Sequence, residues 1–225
     1  MLIRPAAILD ARPVILLLAA LLAAAVLPAW AAAPRTRPEA LAALKEADPQ
    51  RRAEAVAWLA NRGVPQDAGL LHERLRDEDE LVRSVAEQGL WRLWGRSGDR
   101  RIDAQMAQAA AAMGAGEYPK AIEVLTRVVA QKPDFAEGWN RRATAYYLAG
   151  EFEKSIADCD EVLRRNPLHF GALSGLGQIH VQLEHYDEAL KWFRRALEVN
   201  PNMAGVELNI EAIRALLEQR RGKAI

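Results

Sequence analysis

Three prolines, Pro133, Pro167 and Pro201, recur at a constant spacing of 34 residues. Proline has no backbone N–H to donate and cannot continue a helix, so each of the three marks the same point of a repeating unit, the end of a helix. Self-similarity at a period of this length is typical of stacked helix pairs. The spacing therefore predicts an all-α protein in which each unit packs on its neighbours along the chain.

Small and bulky residues stand at fixed places within these units. The eighth and twentieth positions of the three units hold small residues: Ala109, Ala143 and Gly177, then Ala121, Ser155 and Ala189. The twenty-fourth position holds Leu125, Cys159 and Phe193. Two antiparallel helices that cross closely leave room only for small residues at the crossing, while the larger side chain fills the space between them.

A turn is predicted at the same place within each unit. Gly116, Gly150 and Glu184 occupy this place, and an aromatic residue follows two positions later in every copy. Glycine at the end of a helix readily adopts the left-handed conformation that stops the helix. We expect the aromatic residue to begin the second helix of the pair and to pack back on the first.

Taken together, these residues resemble the tetratricopeptide repeat. The positions that carry the resemblance are Trp139, Tyr146 and Pro167 in the second unit, and Leu173, Gly177 and Pro201 in the third. The resemblance implies a right-handed helical-repeat solenoid with three helix pairs, at residues 102–135, 136–169 and 170–203.

The stretch that follows the last repeat, residues 204–225, has apolar residues at helical spacing. These residues are Val206, Ile210, Ile213 and Leu217. One apolar stripe with charged residues alongside predicts a helix with one buried face. We interpret it as a capping helix that covers the last repeat and presents its polar face to solvent.

Residues 1–33 have the pattern of a secretory signal peptide. Arg4 and Arg12 give a positive start, residues 14–26 form an unbroken apolar run, and Ala29 and Ala31 form a small-x-small cleavage site. We therefore expect a periplasmic or secreted bacterial protein. The alternative is an uncleaved membrane anchor, although the run is shorter than the ~20 residues that a spanning helix needs.

Residues 34–100 are helical in pattern but follow a different period. An offset of 31 residues matches three pairs of positions: Arg52 with Arg83, Ala55 with Ala86, and Leu59 with Leu90. An acidic turn, then an arginine, then apolar residues on one face resembles short HEAT-like repeats, which implies two helix pairs. We expect Asp48 and Asp79 to cap helices, and Arg52 and Arg83 to bind carboxylates or carbonyls of the preceding turn.

Trp91 and Trp94 end this HEAT-like segment, three residues apart on nearby helix faces. We expect them to pack on the first tetratricopeptide helix and join the two sets of repeats into one solenoid. The alternative is an exposed platform for a ligand. The following residues, 95–101, are short enough to be a joint rather than a long linker.

No set of residues predicts an enzyme or a cofactor. The chain carries 30 Lys and Arg and 30 Asp and Glu, a neutral balance that argues against general nucleic-acid binding. Its four histidines lack the further ligands that a metal site needs. We expect Cys159 to be a small buried apolar residue, and Asp158 and Asp160 to lie solvated on the outer face of a second helix.

The resemblance to tetratricopeptide repeats implies a groove on the concave face, lined by the first helix of each pair. The candidate lining residues are Met106, Ala110, Met113, Asn140, Thr144, Tyr147, Ser174, Gln178 and Val181. The implied partner is an unidentified protein or peptide, with no membrane contact unless the N-terminal segment is retained. The alternative is an unused groove, partly filled by the first segment or the last helix.

One function of this family is not implied. Some tetratricopeptide domains hold the carboxylate at the end of a partner chain with a clamp of Lys, Asn and Arg residues. The corresponding positions here hold Met106, Ala110, Arg141, Gly171 and Gly175. Four of the five are unable to bind a carboxylate through a side chain, so the clamp is absent.

Overall fold

The computed structural model describes residues 33–222, and the predicted signal segment lies outside these residues apart from Ala33. The described residues form eleven α-helices and one 3-10 turn at Pro65–Asp67. The helices are α1 (Arg37–Ala43), α2 (Pro49–Arg62), α3 (Ala68–Arg74), α4 (Glu80–Trp94), α5 (Arg100–Gly114), α6 (Tyr118–Gln131), α7 (Ala136–Leu148), α8 (Phe152–Arg165), α9 (Phe170–Gln182), α10 (Tyr186–Val199) and α11 (Ala204–Gly222). The architecture is the all-helical solenoid that the proline spacing predicted.

Helices α1–α4, the N-terminal helices, form two pairs in which α2 and α4 pack side by side. Their apolar faces meet in one buried core that includes Leu59, Leu71 and Leu90. As predicted, Asp48 caps α2 by accepting from the Gln50 N–H, and Asp79 caps α4.

The two arginines of the 31-residue offset make equivalent bonds. Arg52 Nη1 donates to the carbonyl oxygens of Glu46 and Ala47 at 3.0 and 2.8 Å. Arg83 Nη1 donates to the carbonyl oxygens 31 residues further on, those of residues 77 and 78, at 2.9 and 3.0 Å. The prediction that both arginines bind the preceding turn is confirmed.

Helices α5–α10 form three antiparallel pairs that stack in chain order. The close crossing predicted at the small residues is visible in the second pair, where Ser155 Oγ donates to the Ala143 carbonyl oxygen at 2.7 Å. In the third pair, a Cβ atom added at Gly177 would lie 2.4 Å from the Phe193 ring. Any larger residue at Gly177 would push the two helices apart.

The three predicted turns share one geometry. Gly116, Gly150 and Glu184 have φ angles of 76°, 77° and 56°. At each turn, the next residue's N–H bonds to a carbonyl five residues earlier, as in Glu117 to Ala112 at 2.9 Å. This is the Schellman arrangement, which satisfies the last carbonyls of a helix through a left-handed residue. After the third pair, Val206, Ile210 and other apolar residues of α11 pack against α10, as predicted for a capping helix.

The N-terminal helices and the loop between α4 and α5 contact the loops of all three prolines. Near Pro133, Lys132 Nζ donates to the Ser97 carbonyl oxygen. Near Pro201, Asn202 Nδ2 donates to the Leu75 carbonyl oxygen at 2.8 Å, and Arg83 Nε donates to Asn202 Oδ1 at 3.1 Å. Residues 34–222 consequently belong to one compact unit.

The loop near Pro167 receives the two tryptophans. Trp94 stacks on His169 with ring centroids 4.4 Å apart, and Trp91 meets Phe170 edge to face at 5.2 Å. The prediction that they pack on the first tetratricopeptide helix is therefore wrong. They do join the two sets of repeats, but at the start of α9, because Gly171 leaves the space that Trp91 occupies: a Cβ there would lie 2.2 Å from its ring.

Candidate functional site

A cleft of about 150 Å³ lies between α7 and α9, the first helices of the second and third repeats. Ten residues line it: Asn140, Ala143, Thr144, Tyr147, Ser155, Cys159, Gly171, Gly175, Gln178 and Ile179. Four of these, Asn140, Thr144, Tyr147 and Gln178, are among the predicted groove residues. No residue of the lining carries a formal charge at neutral pH, so the cleft is an uncharged pocket with a polar rim.

The floor of this cleft is open because one wall has no side chain. A Cβ atom built at Gly175 would stand 3.9 Å from Cys159 Sγ. Cys159 is buried, and burial followed by the charges of Asp158 and Asp160 raises the pKa of its thiol to about 12. The thiol therefore stays protonated and serves as an apolar surface, as the sequence predicted.

The rim of the cleft carries hydrogen-bonding side chains. Asn140 Nδ2 donates to Glu137 Oε2 at 2.9 Å, and Thr144 Oγ1 donates to the Asn140 carbonyl oxygen at 3.0 Å. The Tyr147 hydroxyl accepts from Gln182 at 3.4 Å. Gln178 is exposed, and its amide makes no hydrogen bond within residues 33–222. Amide and hydroxyl groups arranged in this way can bind the backbone of a peptide.

A second cleft, of about 400 Å³, begins on the other side of Gln178. Its lining includes Ser174 and Gln178 of α9, Glu87 of α4, and Asn209 of α11. Ser174, a predicted groove residue, therefore faces this second cleft. The N-terminal helices contribute directly to the surface around the groove, a contribution that the repeat pattern alone did not indicate.

The remaining predicted groove residues lie elsewhere. Val181 packs in the cluster formed by α10 and α11, so the last helix covers it. Met106 and Met113 are half-buried against α6, and Ala110 is exposed on α5. The structure thus brings four predicted residues together, places Ser174 beside them, and leaves the other four outside the two clefts.

A buried polar group was missed by sequence reasoning. Glu137 and His169 are both fully buried, with Glu137 Oε2 3.3 Å from His169 Nε2. His169 Nδ1 accepts from the Ala172 N–H at 3.1 Å, so in the neutral ring the proton sits on Nε2 and is donated to Glu137. Burial acts to raise the pKa of Glu137, but bonds with His169 and Arg141 outweigh it and hold the pKa below its usual value.

This Glu137–His169 pair has a structural role that its neighbours reveal. Trp94 stacks on the same histidine, so the pair orients the ring against which the N-terminal helices dock. No spacing in the sequence joins residues 94, 137 and 169, because Trp94 belongs to the N-terminal helices, whereas Glu137 and His169 lie at opposite ends of the second tetratricopeptide unit. Only their common position at the repeat junctions brings them together.

Asp158 was predicted to be solvated, and this prediction is wrong. The side chain is buried and forms a bidentate ion pair with Arg142, at 2.7 and 2.8 Å. The guanidinium group of the neighbouring helix replaces the water that a buried carboxylate loses. Asp160, two residues away, is exposed as expected.

Residues 33–222 contain neither a metal-binding cluster nor a membrane-spanning helix. No three His, Cys, Asp or Glu residues in this range lie close enough together to hold a metal ion. No helix in the same range has both the length and the apolar composition to cross a membrane. His180 is half-buried at the end of α9, and His185 is the exposed residue that precedes α10.

Comparisons with known families identify the repeats. Residues 106–165 and residues 171–203 match two family models, both described as tetratricopeptide repeat. A tetratricopeptide repeat-containing protein of Rhizobium etli is 37% identical over 129 residues. That match covers 57% of this chain and 62% of the relative, so the chain spans less than two thirds of the relative's length.

Two solved structures share the helical arrangement. The tetratricopeptide domain of Sgt2 from Aspergillus fumigatus superposes with a TM-score of 0.53 and 24% identity, over 56% of this chain and 85% of that one. The first tetratricopeptide domain of Spaghetti (RPAP3), bound to an HSP90 peptide, gives a TM-score of 0.50 and 24% identity, over 52% and 93%. At 24% sequence identity, this similarity shows a shared fold and nothing about a shared partner.

Proposed function

Because residues 106–165 and 171–203 are tetratricopeptide repeats, we propose that the protein is a non-enzymatic interaction or scaffold protein. Its partner is a peptide or an extended protein segment that binds the concave side of the repeats. The observation that carries this proposal is the uncharged cleft between α7 and α9, which opens beside exposed amide groups.

The cleft supports binding rather than catalysis. Its only thiol is held protonated by burial, and its rim offers amides and hydroxyls rather than a paired acid and base. An amide such as Gln178 can bind both the N–H and the C=O of a peptide backbone. The missing side chain at Gly175 leaves room for a partner side chain to enter between the helices.

The solved neighbour that holds an HSP90 peptide does not identify the partner here. It shares 24% of its residues with this chain, which carries the fold alone. The clamp for a terminal carboxylate is replaced here mainly by methionine, alanine and glycine. We therefore expect recognition of an internal segment rather than of a chaperone tail.

For the location, we propose export to a bacterial periplasm or secretion, on the basis of residues 1–33. The second candidate is a membrane-anchored assembly factor that keeps this segment as an anchor. N-terminal sequencing of the native protein separates the two candidates. A start near residue 32 or 34 supports export with cleavage, and a start at residue 1 or 2 supports the anchor.

For the N-terminal helices, we propose that they are two HEAT-like pairs. The equivalent carbonyl contacts of Arg52 and Arg83, at an offset of 31 residues, support this assignment. Arg52 also forms a bidentate pair with Asp77 in the next unit, at 3.0 and 2.7 Å. A ladder of this kind links consecutive short repeats through their turns.

The interaction function is tested by photo-crosslinking in the native cell. A photoreactive residue replaces Tyr147 on the rim of the cleft, and a control replaces Glu123 on α6, an exposed residue of a second helix. We expect a discrete protein adduct from position 147 alone, identified by mass spectrometry. Adducts from position 123 alone would place the interface on the convex side, and no adduct at either position would contradict the proposed function.

A further inference from the structure

The two clefts on either side of α9 form one composite surface. Gly171 and Gly175 face the α7–α9 cleft, Ser174 faces the cleft beside α4, and Gln178 lines both. A peptide segment bound in the first cleft can therefore continue past Gln178 into the second cleft. The tetratricopeptide repeats supply one wall of this surface, and the N-terminal helices supply another through Glu87.

The charge of this surface comes from one residue. Among the residues that line the two clefts, Glu87 is the only carboxylate, and none is a lysine or an arginine. The nearest cation on the same helix, Arg83, is held by the carbonyl oxygens of residues 77 and 78 and by Asn202. Glu87 itself forms no ion pair within residues 33–222 and is half-buried at the edge of the cleft.

The size of the first cleft limits what enters it. An apolar cavity of roughly 150 Å³ accommodates a molecule of the size of benzene. The cleft between α7 and α9 has about this volume, and its floor is formed by Cys159, Ile179 and Ala143. The cleft therefore has room for one bulky apolar side chain of a bound peptide, whose backbone would lie on the amide rim.

We propose that the composite surface binds a protein segment that carries one bulky apolar side chain and, a few residues away, one lysine or arginine. The apolar side chain fills the α7–α9 cleft, the backbone bonds to Gln178, and the cation pairs with Glu87. This inference rests on the proposed function and adds the chemistry of the partner. It assigns to the N-terminal helices a part in partner selection, which the repeats alone do not have.

The test is selection from a random-peptide display library on the chain without residues 1–33. We expect the enriched peptides to combine a leucine or aromatic residue with a basic residue. In E87K, we expect these peptides to bind about fivefold more weakly or worse, and peptides with an acidic residue to replace them in a fresh selection. The matched control E153K changes an exposed glutamate of α8 and should leave the selection unchanged.

A cleft-filling variant separates this inference from the function on which it rests. Gly175→Leu places a side chain in the α7–α9 cleft, where a Cβ makes only ordinary contact with Cys159. Peptides that lose binding in Gly175→Leu but carry no basic residue, or that ignore E87K, would overturn the inference and leave the proposed function standing. No enrichment over Gly175→Leu for any peptide would contradict both. Far-ultraviolet circular dichroism confirms that each variant is folded.

Discussion

The N-terminal helices and the tetratricopeptide repeats reach the same kind of stacked structure by different means. Helices α2 and α4 begin at aspartates whose side chains accept backbone N–H groups, and their turns are tied by arginines. Helices α6, α8 and α10 have no side-chain cap. Their turns are held by a left-handed residue and backbone bonds, and their helices by small residues at the crossings.

This difference shows how each region tolerates change. A region held by named polar bonds depends on a few side chains, each of which has a specific partner. A region held by shape depends on the size of many residues and on a few backbone angles. The junction between the two regions uses both kinds of contact. Trp94 stacks on His169, and Asn202 donates one hydrogen bond to Leu75 and accepts another from Arg83.

The largest expected effect comes from Phe170→Ala at the junction. Phe170 is fully buried in the core of the N-terminal helices, although it belongs to α9. Removing the ring leaves a cavity, and we expect a loss of about 3–5 kcal/mol in the free energy of unfolding, measured by urea denaturation. Hydrogen exchange should accelerate in α1–α4 as well as in α9.

Phe193→Ala is the matched control for Phe170→Ala, because Phe193 is equally buried but packs within α9–α11. We expect a similar loss of stability, with faster exchange concentrated in the last repeat. If Phe170→Ala left exchange in α1–α4 unchanged, the junction would not hold the two regions together.

The next effect is a dependence on pH at the junction. The ring of His72 lies 5.6 Å from Trp94, and burial, followed by His169 and Arg76, lowers its pKa from 6.5 to about 4. Between these values the unfolded chain binds more protons than the folded one, so stability is present above pH 6.5 and falls as the pH approaches 4. Because the ring keeps some contact with solvent, we expect a fall of about 2 kcal/mol rather than the full linkage value.

Urea denaturation at several pH values checks this dependence. His72→Gln should flatten the fall between pH 6.5 and 4, while His185→Gln, which changes an exposed histidine, should retain it. An unchanged pH profile in His72→Gln would assign the dependence to other groups.

A smaller effect on stability is expected from Asn202, which links the loop of Pro201 to the N-terminal helices. It donates to the Leu75 carbonyl oxygen and accepts from Arg83, which the carbonyl oxygens of residues 77 and 78 also bind. Asn202→Ala removes these two hydrogen bonds and a third, from Asn202 Nδ2 to Asn200 Oδ1 at 3.0 Å. We expect a loss of about 1–2 kcal/mol in the free energy of unfolding, measured by urea denaturation. Asn209→Ala on α11 is the control. Equal stabilities of the two variants would show that the Asn202 bonds contribute nothing to the junction.

The smallest expected effect has the opposite sign. Glu184 adopts a φ of 56°, where the first two repeats have glycine. Glu184→Gly relieves this strain, and we expect a gain of about 0.5–1 kcal/mol, reduced by the flexibility that glycine adds to the unfolded chain. Gly150→Ala at the equivalent turn should lose a similar amount. Thermal unfolding of both variants checks the pair, and a loss in Glu184→Gly would contradict the account of the turn.

The parts of the fold that were predictable are those with a local or periodic cause. The turns at residues 116, 150 and 184 and the caps at Asp48 and Asp79 follow from neighbours within one helix pair, and the proline period follows from the repetition of that pair. The docking of Trp94 on His169 had no such signal, because its partner stands two repeats away. Four of the ten residues that line the α7–α9 cleft were predictable from repeat positions, but the contribution of Glu87 was not, since it depends on that docking.

Asp158 illustrates a second limit of sequence reasoning. A charged residue on a second helix is expected in solvent, and only a partner that compensates the charge allows burial. That partner, Arg142, lies 16 residues earlier on the adjacent helix. A pattern of charges along one helix does not reveal a pair that forms between two.

The contacts that the N-terminal helices and the α4–α5 loop make with the three proline loops have a mechanical consequence. A solenoid without such contacts is flexible along its length, because each repeat touches only its neighbours. Here the N-terminal helices span the distance between the Ser97–Lys132 contact and the Asn202 contacts. Because both ends are attached, we expect the curvature of the three repeats to be restrained. The concave surface would thus have its binding shape before a partner arrives, so less conformational entropy would be lost on binding.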